Sequence, residues 1–353
     1  MSGKYLLFFA AMLCWCCRPP RPFPYAIKDF SPSLQPFLTY KVSKAFVGFD
    51  DDSLSNMMTD KELTQLSRCE HPVLRAIAFR EMLERRSFDH FRVVMEHLHD
   101  TAIVAVNEGE WGLGYRTIAD DIIRNAGWKT NEDKNKTIDA VLTKHNYLRA
   151  AYTILLTYEP QEKHYSFIQD MALRDNGSVG NFNVFRSDKE LALYGLAKFK
   201  KKKDVPVIKD ILLSSVHSLG EVSWNLMSRY PNNEYLEVFE AYYPRLFYRT
   251  ICRERSATEA INFIHSVAVY KNERSARILD SILNRKPFLN CEADTSYLKS
   301  VVRNAIWYNP CPAYAKLRAQ IEARVKEDLK NALDIEPAHP IESTDSSEEK
   351  IRW

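Results

Sequence analysis

The stretch 88–100, FDHFRVVMEHLHD, holds the chain's richest concentration of histidine. His90 and His97 lie seven apart, two turns along one face of a helix, and Glu96 and Asp100 lie four apart on another. Imidazole and carboxylate are the ligands of transition metals, but zinc needs three or four that converge. Two pairs on two faces do not converge. The expectation is the solvated flank of an amphipathic helix, with no metal and no cofactor.

A second stretch, NEGEWGLGYRTIADD at 107–121, points to binding rather than to bond-making. Gly109, Gly112, Gly114 and Gly127 fall close together in a chain with only 10 glycines. Trp111 and Tyr115 are large, rigid side chains of the kind that anchor interfaces. Asp120 and Asp121 add charge beside them. These four residues are the candidate binding set, carried by a small irregular insertion near 101–130 with short strand-like pieces.

Signatures of catalysis are missing from the sequence. It contains no G-x-S-x-G, H-E-x-x-H, Walker loop or G-x-G-x-x-G. Of the seven cysteines only Cys14 and Cys17 have the C-x-x-C spacing, and they lie inside the apolar run of residues 1–17, so a zinc ribbon or thioredoxin motif is not expected. Cys69, Cys252, Cys291 and Cys311 are scattered and read as small apolar core residues. No catalytic residue is assigned, and the chain reads as not an enzyme.

The elements that carry these stretches follow from periodicity. In SDKELALYGLAKFKKKKDVPVIKDILLSS, 187–215, Ser187 and Glu190 have the spacing of a capping box. Ala192, Leu193, Leu196, Ala197 and Phe199 then mark one helix face. Lys200 to Lys203 end the pattern, where cations suit a helix C-terminus. Asp204 reads as an N-cap with Pro206 in the first turn, and Val207, Ile208, Ile211 and Leu212 make a second face. Each helix is too short to be stable alone, so each must bury its stripe on a neighbour.

The inward positions Ala192, Leu196, Ile208 and Leu212 give a template of spacing 4, 12 and 4. It recurs at Ala78/Met82/Val94/Leu98, Ala151/Leu155/Phe167/Met171 and Val222/Leu226/Val238/Tyr242. It recurs again at Phe263/Val267/Leu279/Leu283 and Val301/Ala305/Leu317/Ile321. With 45% of residues hydrophobic, a single register matches by chance about 4% of the time, so the weight lies in the recurrence at roughly 40 residues.

These residues carry a resemblance. ALYGLAKFKKKKDVPVIKDIL resembles a HEAT-like repeat of the type named after phycobilisome lyases, with Ala192, Leu196, Asp204, Val207, Ile208 and Leu212 in the family's places. HPVLRAIAFREMLERR, 71–86, resembles a first HEAT helix through Arg75 and Ala78. The resemblance covers roughly 60–325. It implies an all-α fold, a right-handed superhelix of stacked helical hairpins, and no pigment chemistry. Low glycine content also disfavours doubly wound folds.

Four segments are expected along the chain. Residues 1–17 hold a 13-residue apolar run, too short to cross a bilayer comfortably, which reads as a signal-like or membrane-anchor leader resembling that of a bacterial lipoprotein. Residues 18–58 read as an extended linker, 59–333 as the repeat domain and 334–353 as a disordered acidic tail.

The function these readings imply is a non-catalytic scaffold for an unknown protein partner, at the cell envelope through its N-terminus. The alternative location is the cytoplasm. The alternative function is a nucleic-acid-processing enzyme of the HEAT-like DNA glycosylase kind, with tryptophans 111, 128, 224 and 307 available to stack on a base. A net charge of +3 argues against nucleic acid, and none is expected.

Overall fold

The structure, a computed structural model, describes residues 23–48, 57–107, 113–174, 178–179, 182–183, 186–216, 219–249, 254–284 and 292–333. The leader at 1–17 and the acidic tail at 334–353 lie outside the described residues. The chain is mostly helical with one small three-stranded sheet, and it divides into two compact units, Met1–Phe199 and Lys200–Trp353.

The first unit is built around α3 (Pro72–Glu84), whose buried residues run round the whole helix: Leu74, Ile77, Ala78, Phe79 and Met82 among them. A helix buried on every side belongs in an interior, and its charged residues Arg75 and Arg80 are there paired with carboxylates. It is packed by α1 (Gln35–Lys44), α2 (Asp60–Leu66), α4 (His90–His97), α5 (Ile118–Asn125) and two strands, β1 (Phe46–Val47) and β2 (Ile103–Asn107). Strand β1 pairs parallel to β2, and β2 pairs antiparallel to β3 (Leu113–Thr117). Then come α6 (Asn131–Lys144), α7 (Arg149–Thr157), α8 (Tyr165–Leu173), the two-residue strands β4 (Ser178–Val179) and β5 (Phe182–Asn183), and α9 (Arg186–Ala197). Helix α9 packs on α7 and α8.

Two expectations are corrected here. The segment 18–58 is not an extended linker throughout. It contains α1, started by Pro36 and closed by Ala45 in the left-handed region, and it supplies Leu38 and Val47 to the core with no exposed surface. Helix α9 already includes Arg186, ahead of Ser187, and Lys203 precedes α10 (Asp204–Ser214), so Ser187 and Asp204 sit within first turns instead of capping them.

The second unit continues with α11 (Glu221–Arg229), α12 (Leu236–Arg249), α13 (Glu254–Ala268), α14 (Glu273–Leu283), α15 (Glu292–Tyr308) and α16 (Ala315–Leu333). Helices α11, α13 and α15 pack in succession, and α10, α12 and α14 do the same. Hairpins thus lie side by side in two rows. An aromatic cluster of Trp224, Phe239, Tyr242 and Phe263 fills the space between α11, α12 and α13.

The template of inward positions agrees with burial. Every copy spans two consecutive helices, the last residue of the first copy, Leu98, closing α4. All its residues are buried except Phe167, Val222 and Ile321, which are half-buried.

The turns inside the hairpins are of two kinds. Helices α8, α12 and α16 are each entered through a 3₁₀ turn, Glu162–His164, Asn233–Tyr235 and Pro312–Tyr314. Each ends on a buried ring: His164, Tyr235 or Tyr314. By contrast, Lys271 before α14 and Lys200 before α10 adopt positive φ. The buried rings reach sideways. His164 Nε2 lies 2.9 Å from Asp139 Oδ1 on α6, and the Tyr314 hydroxyl donates to the Ala268 carbonyl at the end of α13, 2.9 Å away.

Candidate functional site

The sheet of the first unit separates two apolar faces. Along β2, Val104 and Val106 are buried, while Ile103 at the start of the strand is exposed. Along β3, Leu113 and Tyr115 are exposed and Thr117 is buried. The buried side, joined by Val47 of β1, faces α3. In the β2–β3 register Ala105 is opposite Tyr115, Asn107 opposite Leu113 and Ile103 opposite Thr117. Ile103 and Tyr115 are therefore diagonal neighbours on the solvent side, close enough for long side chains to touch.

The result is a contiguous apolar face, with Ile103 52% exposed, Leu113 55% and Tyr115 70%. Strand β3 pairs with β2 alone among the described residues, so it is an edge strand of the sheet. Exposed apolar patches at an unpaired edge favour association, either with a partner's surface or with a partner's strand.

Asp120 and Asp121 are held differently from Tyr115. Thr117 caps α5: its hydroxyl accepts the Asp120 N–H at 3.0 Å and donates to Asp120 Oδ2 at 2.7 Å. Asp120 Oδ1 accepts the Ala150 N–H at 2.8 Å, in the first turn of α7. A carboxylate at two helix N-termini is favoured by both dipoles. Asp121 is 2% exposed and takes a two-pronged bond from Arg80, with Nε and an Nη each 2.9 Å from an oxygen. The same guanidinium reaches the Gly48 carbonyl at 3.2 Å, and Arg116 stands 3.9 Å from Asp121.

Of the four candidate residues, then, Tyr115 is presented to solvent. Asp120 and Asp121 fix the base of the hairpin, and Trp111 lies outside the described residues. Ile103 and Leu113 complete the face and were not singled out from the sequence. The reason is that IVAV is apolar at every position, so alternation could not tell the outward side from the inward one.

The histidine-rich helix α4 does not assemble a ligand set. His90 Nδ1 and Nε2 lie 3.2 and 3.1 Å from the carbonyls of Gly127 and Arg85. Glu96 pairs with Arg92 on the surface, and Asp100 pairs with Arg75 in the core. His97 packs its ring 4.4 Å from Phe79, and burial, aided by His99 nearby, lowers its pKa to about 4. Among the described residues no group of three or more His, Cys, Asp or Glu converges on a point.

The tryptophans also divide. Trp224 is core, Trp128 is half-buried and Trp307 is 71% exposed on α15. Cys69 is buried and Cys311 half-buried, both as free thiols. Among the described residues no helix is long and apolar enough to cross a membrane. Comparison of the chain with protein-family models, curated proteins and solved structures finds no match.

Proposed function

We propose that the protein is a non-catalytic scaffold whose HEAT-like helical hairpins hold a small sheet in place to bind a protein partner. The observation that carries this reading is the solvent face of the β2–β3 hairpin, where Ile103, Leu113 and Tyr115 stand exposed on one side of an edge-containing sheet. Water contact with three large apolar side chains has a cost that burial against a partner removes. Within the first unit the sheet rests on α3, whose side chains are buried on every side, and this supplies the support.

Aromatic anchors on such a face contribute the most binding energy when they become fully desolvated. An envelope location, carried by the apolar residues 1–17, belongs to the same proposal, and the intact mass of the protein from its native cell tests it. The binding reading is tested by quantitative capture from native extracts with the wild type and with Leu113→Ser/Tyr115→Ser. A specific set of proteins lost in the variant supports it. Identical recoveries, with folding verified by circular dichroism, would count against it.

A further inference from the structure

The last hairpin carries a second surface, in the second unit and independent of the sheet face. Helices α15 and α16 enclose a cleft of about 220 Å³. Its apolar wall is Ile306 and Trp307 on one side and Ile321 and Val325 on the other. Arg303, Arg318 and Lys326 stand round it against a single carboxylate, Glu322. Arg303 and Lys326 make no ion pair among the described residues. The Arg318 guanidinium donates from one Nη to the Ile306 carbonyl, 3.2 Å away, while its buried Nε–H meets no acceptor among the described residues. Trp307, at 71% exposed, is left to water.

Such a site selects an occupant with carboxylates spaced around apolar anchors. The segment that follows α16 has that chemistry. Residues 334–353, DIEPAHPIESTDSSEEKIRW, carry six acidic residues against two basic ones, with Ile341, Ile351 and Trp353 as apolar anchors. It is also within reach. Lys326 is seven residues before the end of α16 at Leu333, or about 10 Å of helix. Twenty residues at roughly 3.3 Å each span several times that distance. Covalent attachment gives a short tether an effective concentration in the millimolar range, so modest contacts suffice.

We propose that the cleft between α15 and α16 is the docking site of the chain's own segment 334–353. Its carboxylates would neutralise Arg303, Arg318 and Lys326, and its apolar side chains would cover Trp307.

Zero-length carbodiimide coupling of the full-length protein tests this, because it joins a lysine amine only to a carboxylate it already touches. Equal amounts of ordinary and ¹⁵N-labelled chains distinguish links within a chain from links between chains. The expected product is Lys326 joined to an acid among 342–349 of the same chain. Three charge reversals, D345K/E348K/E349K, should lower that product about tenfold, as loss of several exposed ion pairs predicts. The exposed-site variants Arg303→Glu and Trp307→Ala should lower it too. Hydrogen exchange of 299–308 should accelerate in the triple variant by a similar factor. Links found only between chains would assign the cleft to a second copy and overturn the proposal. It would equally be overturned by absent Lys326 links together with unchanged exchange in the triple variant.

Discussion

The hydroxyl of Tyr314 lies 2.8 Å from the hydroxyl of Ser275, at a point where both residues are fully buried. They are 39 residues apart, about one repeat, and belong to successive hairpins. Tyr314 also donates to the Ala268 carbonyl and accepts the Lys271 N–H at 3.2 Å. One phenol thus satisfies the end of α13, the left-handed turn at Lys271 and the start of α14. Burial pushes its pKa up to about 12, so it is a neutral donor throughout the working range.

Removing that hydroxyl should unpick the joint without emptying it. Tyr314→Phe keeps the ring but strands buried polar groups of the neighbouring hairpin. A loss of about 1–3 kcal/mol is expected in denaturant unfolding. Ser275→Ala should cost less. The double variant should be less destabilised than the sum of the two, because the pair shares one hydrogen bond.

The Arg75–Asp100 pair should be among the most sensitive polar sites in the first unit. Both side chains are 2% exposed, the guanidinium binds two carboxylate oxygens at 2.8 and 3.0 Å, and Phe23 lies 3.6 Å from its central carbon. Two further bonds run to the carbonyls of Cys69 and Glu70. Asp100→Asn leaves a buried cation without its counter-ion and should cost about 3–5 kcal/mol. The exposed Asp60–Arg85 pair is the contrast, and Asp60→Asn should leave the thermal midpoint unchanged.

Stability should fall on mild acidification because of His97. Its folded pKa is about 4, held down by burial, against an unfolded value near 6.5. Below pH 6.5 the unfolded chain takes up a proton that the folded chain refuses. The contribution is therefore complete above that pH and is lost as pH falls towards 4, up to about 3 kcal/mol in all. Burial lowers the pKa values of His71, His145 and His265 as well, so they tilt the profile the same way. The test is the difference in slope between wild type and His97→Gln over pH 4–6.5, where the variant should be flatter.

Gly195 should invert the usual rule for helices. A Cβ there would stand 2.8 Å from Leu155 Cδ1, across the packing of α9 on α7. Replacing a mid-helix glycine by alanine ordinarily gains about 1 kcal/mol. Leu155 is fully buried and has little room to yield, so overpacking should win and Gly195→Ala should lose about 1–2 kcal/mol. Adding Leu155→Val, which shortens the opposing side chain, should recover part of that loss.

Helices were legible in the sequence because apolar positions at 4, 12 and 4 fall on inward faces whatever joins the two helices. That tolerance also hid the joints. The same spacing accommodates the 3₁₀ entry ending at Tyr235 and the left-handed turn at Lys271, so the two kinds of hairpin could not be separated by counting. Helix α1 was missed because Pro22, Pro24, Pro32 and Pro36 dominate its approach, whereas Pro36 in fact starts the helix. At the candidate site, Tyr115 was readable as an anchor by residue type. The inward roles of Asp120 and Asp121 depended on Ala150 and Arg80, 30 and 41 residues away, which no local pattern reveals.

The most direct test of the binding reading places a photo-reactive phenylalanine analogue at position 115 of the full-length protein in its native cell. Tyr115 projects from an exposed sheet face, so this change should leave the fold intact. Irradiation should yield a discrete covalent adduct to one protein, abolished by Leu113→Ser on the same face. An adduct pattern unchanged by Leu113→Ser, or no protein adduct at all in the folded protein, would contradict the assignment of this face as a partner surface.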